Sequence, residues 1–95
     1  MHVIAYKAIR EFAAKHADAQ TPLDTWYKTA VKAKWQSLSE VKLIYRHADL
    51  VGKYTVFNIK GNDYRLVANI NYRRQRLYII GIFTHAEYDK GRWKT

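Results

Sequence analysis

The sequence contains no cysteine, a single proline at Pro22 and four glycines, none of which precedes Gly52. Without cysteine, neither a disulfide framework nor a thiolate metal site can hold the fold, and the chain suits a reducing cytoplasm. The sequence also does not open with a long apolar run, because the stretch 1–6 is followed at once by Lys7 and Arg10. That stretch is too short for a signal peptide or a membrane span. Ninety-five residues are therefore expected to form one soluble cytoplasmic domain, residues 1–95.

What the chain has in excess is positive charge. Lys and Arg number 17 against 8 Asp and Glu, which gives a net charge of +9. Residues 51–95 carry nine basic and three acidic side chains, and residues 1–50 carry eight and five. This uneven excess predicts a surface for a polyanion in the C-terminal half, and nucleic acid is the usual partner of such a surface. A charge that serves solubility alone is the plainer alternative.

Hydrophobic periodicity predicts an α+β fold, in which helices pack on one face of a curved antiparallel sheet. The segment 36–52 is predicted to be mostly loop, and Thr21 is predicted to cap the second helix. Tight turns are predicted at Gly61-Asn62 and over residues 71–75. The predicted elements are a strand at 2–5, helices at 6–16 and from Pro22 to about Trp35, strands at 54–60, 63–70 and 77–83, and a last helix from Thr84 or His85 to about Trp93.

Two large classes of enzyme lack their motifs in this chain. The four histidines (His2, His16, His47 and His85) are far apart and lack the spacing of a zinc-binding helix. There is no glycine-rich phosphate loop and no serine flanked by glycines. An ordinary metallohydrolase or NTPase is therefore not expected, and no metal or cofactor is predicted.

The predicted hairpin brings four polar residues close together: Lys60, Asn62, Tyr64 and Arg65. Strand alternation puts Arg65 on the face opposite the core-facing Tyr64. RNA cleavage without a metal needs a base for the 2′-hydroxyl, a fixed positive charge for the phosphorane and a proton donor for the leaving oxygen. Arginine supplies the charge, and His, Tyr or Lys can supply the others, while aromatic rings can stack on bases. His85 and Tyr88 follow the third strand and lie on roughly one helical face.

Each candidate also has a purely structural interpretation. Arg65 suits a solvated or ion-paired strand residue, His85 a helix cap, and Tyr88 a packing residue. The remaining structural interpretations are an ion pair of Asp89 with Lys90 or Arg92, core or docking positions for Trp26, Trp35 and Trp93, and an exposed turn for Arg73, Arg74 and Arg76, which also suit a phosphate or partner contact. The residues alone thus indicate a basic domain that binds RNA or DNA.

Two segments go further, because together they resemble a known family. The hairpin FNIKGNDYRLV (57–67) and the segment THAEYDK (84–90) resemble the HigB-type toxins of the RelE superfamily. That resemblance implies a RelE-like fold and a toxin that cleaves mRNA on the ribosome without a metal, and so inhibits translation. It also implies neutralisation by a helix-turn-helix antitoxin of the HigA type, with operator DNA bound only through that antitoxin and no membrane partner.

The resemblance also implies roles for individual residues. Arg65 is the expected transition-state cation and Lys60 a phosphate contact or second cation. His85 and Tyr88 are the expected acid–base or base-stacking pair, oriented by Asp89. The further residues expected at the RNA are Asn62, Tyr64, Arg73, Arg74, Arg76, Asp89 and Lys90.

One position departs from the family pattern. A basic residue is expected in the third strand after Tyr78-Ile79, and this chain has Ile80 there. Ile80 favours the main alternative, a non-catalytic RNA- or DNA-binding module derived from such a toxin. A plain protein-interaction domain is a third interpretation, and a steep salt dependence of RNA binding would argue against it.

Overall fold

The computed structural model describes residues 1–91 and 93, and confirms the α+β class. No helix in this part of the chain is long and apolar enough to cross a membrane. The elements are β1 (His2–Ile4), α1 (Tyr6–Lys15), a short 3-10 helix (Ala17–Ala19), α2 (Gln20–Lys32), α3 (Leu38–Ile44), β2 (Asp49–Val51), β3 (Tyr54–Ile59), β4 (Tyr64–Asn71), β5 (Arg76–Thr84) and α4 (His85–Asp89).

The five strands form one sheet in the order β1-β5-β4-β3-β2. Strands β3, β4 and β5 form the predicted antiparallel meander. The sheet as a whole is mixed, because β1 pairs in parallel with β5 and sets Val3 opposite Leu77. The prediction of a wholly antiparallel sheet is wrong in this respect, since a parallel neighbour so far away in sequence leaves no local signal.

One face of the sheet carries the hydrophobic core. Helix α2 turns Leu23, Trp26 and Ala30 toward it, at the spacing of one helical stripe. Trp26 packs edge-on against Phe57 of β3, with ring centroids 5.3 Å apart, and both side chains are buried. Burying one such side chain stabilises a fold by about 1.5–3 kcal/mol. The opposite face, which carries Arg65, is called the outer face below.

The start of α2 differs from the prediction. The helix begins at Gln20, with Ala19 in the cap position and no side-chain cap, so Thr21 lies inside the first turn and does not cap it. Pro22 is tolerated there, because the first N–H groups of a helix have no partner within it. The helix also ends at Lys32 rather than near Trp35.

The segment 36–52, predicted to be mostly loop, contains α3 and the edge strand β2. This prediction is wrong. The side chain of Ser37 accepts a hydrogen bond from the Glu40 backbone N–H at 3.4 Å, and the Glu40 carboxylate accepts one from the Gln36 N–H at 3.2 Å. A Ser followed three residues later by Glu is the sequence signature of a helix start, so the signal for α3 was present.

The hairpin turn between β3 and β4 spans four residues rather than two. Ile59 pairs with Tyr64 at its base, and the Asp63 N–H donates to the Lys60 carbonyl at 3.2 Å. Lys60 and Gly61 both have positive φ, 52° and 62°. The left-handed region thus begins one residue earlier than the predicted Gly61-Asn62 turn.

Strand β5 contains a β-bulge. Val67 pairs with Gly81 and Ala68 with Ile79, which leaves Ile80 as an extra residue without a partner. Ile79 is buried and Ile80 is exposed. Beyond the bulge, a Cβ on Gly81 would lie 2.6 Å from Phe83 Cζ, so the Phe83 ring occupies the space that a side chain at position 81 would need.

Helix α4 closes one end of the sheet. A capping box starts it: Thr84 accepts from the Glu87 N–H at 3.2 Å, and the Glu87 carboxylate accepts from the Thr84 N–H at 2.9 Å. That backbone hydrogen bond also lowers the pKa of Glu87. The helix ends at Asp89, earlier than predicted. The rest of the predicted helix runs through residue 92, which lies outside the described residues.

Candidate functional site

Arg65 lies on the outer face of β4, as strand alternation predicts, and it is 9% exposed. Its guanidinium donates to three neutral acceptors of the hairpin: the Asn62 side-chain oxygen at 2.6 Å, the Asn62 carbonyl at 3.2 Å and the Tyr64 carbonyl at 3.1 Å. A guanidinium has five N–H donors, so capacity remains for a phosphate. No carboxylate among the described residues pairs with Arg65, which leaves its charge uncompensated.

Tyr88 of α4 lies against this cation. The Arg65 guanidinium carbon is 5.7 Å from the centre of the Tyr88 ring. The other side of the cluster is formed by Trp93, whose ring stacks on Tyr88 with centroids 5.1 Å apart and planes 15° from parallel. Trp93 also donates from its indole N–H to the Tyr88 carbonyl at 3.1 Å. The predicted docking role of Trp93 is confirmed, since it fixes the ring of Tyr88 over Arg65.

The protonation of Tyr88 follows from its surroundings. Burial raises the pKa of Tyr88 above its usual range; Arg65 acts in the opposite direction, while Asp49 and Asp89 reinforce the rise. A phenol with a raised pKa keeps its proton at neutral pH. Tyr88 is therefore placed as a hydrogen-bond donor beside a buried cation.

His85 begins the same helix and is held by two contacts. Its Nδ1 lies 2.9 Å from Asp89 Oδ2, one helical turn away, which fixes the imidazole so that Nε2 faces outward from the pair. Its backbone N–H donates to the Asp63 carbonyl of the hairpin at 3.0 Å. Asp89 thus pairs with His85 rather than Lys90, and Arg92 lies outside the described residues.

The second predicted cation, Lys60, lies on the other side of the hairpin. Its ammonium group donates to Asp18 at 2.6 Å and lies 3.5 Å from Asp63. Tyr64 donates to the second oxygen of Asp18 at 2.6 Å, which places Lys60 on the core-facing side with Tyr64. The structure does not bring the side chains of Lys60 and Tyr64 together with the guanidinium of Arg65.

These contacts perturb all three groups of this Asp18 cluster. Hydrogen bonds from Lys60 and then Tyr64 lower the pKa of Asp18. The hydrogen bond to Asp18 is in turn the main reason that the pKa values of Lys60 and Tyr64 are raised. Sequence reasoning missed Asp18, because it lies in the 3-10 helix, 42 residues from Lys60.

The three arginines near the second turn lie far from this site. Arg73 and Arg74 are exposed in the turn after β4, and Arg76 is exposed at the start of β5. Strand β4 has eight residues, which at about 3.3 Å each separates its two ends by roughly 23 Å. The arginine turn is therefore at the opposite end of the sheet from Arg65.

Two remaining features lie beside the Arg65 end. Lys90 follows α4 and lines a cavity of about 240 Å³ with Phe83, Glu87 and Trp93. On the β3 side, a cleft of about 260 Å³ is lined by Arg46, His47, Asn58 and Gly61, among others. Asn58 is the cross-strand partner of Arg65. Arg46 and His47 were not among the predicted site residues, since their segment was expected to be loop.

Within residues 1–91 and 93, no group of three or more His, Asp or Glu side chains is placed to hold a metal ion. A cavity of about 600 Å³ lies between α1 and the end of β5, where Phe12, His16 and Glu87 are among its lining residues. It contains none of the predicted catalytic residues. The structure does bring Arg65 together with Asn62 and Tyr88, and it pairs His85 with Asp89 within α4.

Comparison with known proteins decides the family. Residues 19–91 match the HigB toxin family, described as the RelE-like toxic component of a toxin–antitoxin system. The chain belongs to this family. The matched range contains Arg65, His85 and Tyr88.

Individual relatives extend the match to nearly the whole chain. The mRNA interferase toxin HigB of Escherichia coli K12 is 33% identical over 92 residues, covering 94% of this chain and 88% of the relative. The mRNA interferase HigB of Shigella flexneri gives the same figures. A second mRNA interferase HigB, from Escherichia coli O6:H1, is 28% identical over 93 residues, with 95% and 90% covered.

Proposed function

We propose that this family member is an mRNA endoribonuclease that works on the ribosome without a metal ion and so inhibits translation. The observation that carries the proposal is the juxtaposition of a buried arginine that has no ion-pair partner among the described residues with the ring of Tyr88, on a helix whose first residue, His85, is oriented by a carboxylate. Relatives that cover most of the chain are named mRNA interferases, which agrees with RNA as the substrate.

Arg65 is the group that binds the reacting phosphate. Its partners are two carbonyls and an amide oxygen, which orient the guanidinium without cancelling its charge. Charge of this kind, fixed before the reaction in a site shielded from water, stabilises the phosphorane more than a solvated charge does. Its remaining N–H donors supply the hydrogen bonds to the phosphate oxygens.

His85 and Tyr88 divide the proton transfers. Nε2 of His85 takes the proton of the 2′-hydroxyl, while Asp89 holds the imidazole and stabilises the imidazolium that forms. The 2′-oxygen attacks the adjacent phosphorus and the bond from phosphorus to the 5′-oxygen breaks. Tyr88 donates its proton to that leaving oxygen, and exchange with water restores both side chains. The products are a 2′,3′-cyclic phosphate and a 5′-hydroxyl.

The proposal also covers where the chain acts in the cell and which partners it has. We infer that the chain acts in the cytoplasm and cuts mRNA inside translated regions. Its partner is a helix-turn-helix antitoxin of the HigA type, and the chain reaches operator DNA only through that antitoxin. These inferences extend the family description of a toxic component in a toxin–antitoxin system.

The decisive experiment is cleavage of a defined mRNA on programmed ribosomes by the wild-type chain and by His85→Gln. Loss of an acid–base group is expected to lower kcat by about 10²–10⁴-fold. His16→Gln is the control, since His16 lies at the end of α1, where its ring stacks on Phe12. Thermal unfolding of each variant checks that the fold is kept.

Two results would contradict the proposal. If His85→Gln cuts as fast as wild type, the acid–base assignment is wrong. If the wild-type chain binds ribosomes and stops growth but leaves every transcript intact, it is not a nuclease. The alternative is then the non-catalytic binding module, which the apolar Ile80 favours.

A further inference from the structure

Beyond Val67, which is buried, the outer face of β4 and β5 opens to solvent as a strip in which Asn71 and Tyr78 are exposed. Asn69 pairs with Tyr78 in this strip, and Asn71 pairs with Arg76 at its far end. Helices α1 and α2 pack on the other face, and α4 covers the end near Arg65. Six strand positions separate Arg65 from Asn71, the partner of Arg76, which is roughly 20 Å at about 3.3 Å per residue.

Tyr78 is the aromatic residue in the middle of this strip. This residue is 37% exposed, while its neighbours Leu77 and Ile79 are buried in the core. No hydrogen bond or ring contact joins the Tyr78 side chain to another described residue. Its exposed ring is a platform on which a base can stack.

The charge of the strip has one sign. Strands β1, β4 and β5 contain no acidic residue. The exposed arginines at the far end, Arg73, Arg74 and Arg76, form no ion pair with a described residue. An anionic backbone that leaves the Arg65 site along this face therefore meets amides, an aromatic ring and then three uncompensated cations.

We propose that the single-stranded RNA next to the cleaved phosphate runs along this strip, with one base stacked on Tyr78 and a backbone phosphate bound by Arg76. The inference rests on the proposed function, to which it adds a substrate-binding subsite. The length suits it, since sheet domains that bind single-stranded RNA stack two or three bases on their exposed aromatics. A protein partner fits less well, because the charged side chains at the end of the strip are all positive, which suits a polyanion.

The test is binding of a fluorescent 2′-O-methyl RNA hexamer, which cannot be cleaved because it lacks the 2′-hydroxyl nucleophile. Tyr78→Ala is expected to weaken binding about tenfold, equivalent to about 1.4 kcal/mol, which is within the effect of losing one stacking ring. Tyr78→Phe keeps the ring and is expected to bind as wild type. Tyr6→Ala is the matched control, because Tyr6 on α1 is equally exposed at 37%.

Arg76→Ala tests the charged end of the strip. Loss of one phosphate contact is expected to reduce the slope of log K against log salt by about 0.7. Arg10→Ala removes the same charge from an exposed position on α1 and is expected to leave the slope unchanged. In ribosomal cleavage assays, Tyr78→Ala and Arg76→Ala are expected to raise KM and change kcat little.

The possible outcomes separate this inference from the proposed function. If the wild-type chain cleaves mRNA and the Tyr78 and Arg76 variants keep its KM and hexamer affinity, the RNA path is overturned and the nuclease stands. If hexamer binding depends on Tyr78 but no RNA is cut, the path stands and the nuclease fails. If the two variants lose antitoxin binding while hexamer binding is unchanged, the strip is a protein interface and the inference is wrong.

Discussion

The two sides of the β3–β4 hairpin hold two cations in opposite ways. On the helix side, Lys60 lies between Asp18 and Asp63, which carry more negative charge than it can balance. On the outer side, Arg65 is held by Asn62 and by backbone carbonyls, which carry no net charge. The same turn therefore presents a compensated cation on one side and an uncompensated cation on the other.

This difference shows how a protein keeps a cation available for a phosphate. A carboxylate partner orients a cation and also cancels its field, while a neutral oxygen orients it and leaves the field intact. Burial strengthens that field further, and Arg65 is far more buried than Lys60. Arginine is suited to such a site because its guanidinium stays charged even when it is buried.

The largest effect is expected when the geometry of the buried cation changes. Arg65→Lys keeps a positive charge but loses the fork that binds Asn62 and a phosphate together. We expect kcat on ribosomal mRNA to fall by about 10²–10³-fold, as when a fixed transition-state donor is removed. Arg10→Lys, the same exchange at an exposed helix position, controls for general effects. Wild-type kcat in Arg65→Lys would show that the charge alone suffices, or that Arg65 has a structural role.

The next effect in size concerns the proton donor that lies against Arg65. Tyr88→Phe keeps the ring on Arg65 and Trp93 but removes the hydroxyl. We expect kcat to fall by about a hundredfold with little change in KM, at the lower end for loss of a general acid. Tyr45→Phe, which changes a core tyrosine near Phe57, serves as the control. An unchanged kcat in Tyr88→Phe would leave stacking as the role of this ring.

A much smaller effect is expected on the compensated side of the hairpin. Lys60→Ala removes a cation that Asp18 and Asp63 already neutralise, and exposed ion pairs contribute little. We expect kcat to fall by about threefold or less, since exposed charges act weakly across solvent. The comparison is wrong if Lys60→Ala lowers kcat as much as Arg65→Lys does, because Lys60 would then have to leave Asp18 and bind the phosphate.

The smallest effect is one of stability and depends on pH. Hydrogen bonds from Lys60 and Tyr64 lower the pKa of Asp18, so the Asp18 carboxylate stabilises the fold above the usual aspartate pKa of about 3.9. That contribution is lost as the pH falls through the lowered pKa of the folded state. We expect Asp18→Asn to lower Tm by a few degrees at neutral pH, and the difference from wild type to shrink in acid. A difference that grows in acid would contradict this.

Much of the fold was readable from the sequence because its signals are local. Alternating apolar residues gave the meander, and the placement of Arg65 opposite Tyr64 follows from the two-residue period of β4. Helix α3 was missed, although Ser37 and Glu40 mark its start. The parallel pairing of β1 with β5 could not be predicted, because its contacts join residues more than 70 positions apart.

The candidate site likewise has features that the sequence predicts and features that it does not. That His85, Tyr88 and Asp89 share one helical turn can be read from their spacing. Which cation lies against Tyr88 cannot be read from the sequence, because that depends on Asp18 holding Lys60 on the other side of the hairpin. The stacking of Trp93 on Tyr88 depends likewise on how the chain turns after α4.

The bulge at Ile80 has a consequence for how this sheet can vary. Strand β5 has nine residues where β4 has eight, and Ile80 is the surplus residue. If it were removed, Leu77, Ile79 and Ile82 would still alternate with Tyr78, Gly81 and Phe83, so every side chain would keep its face. Position 80 is in effect an insertion that the ladder does not use. We therefore expect that either an isoleucine or a basic residue can occupy position 80 without changing the pairing of β5 with β4 and β1.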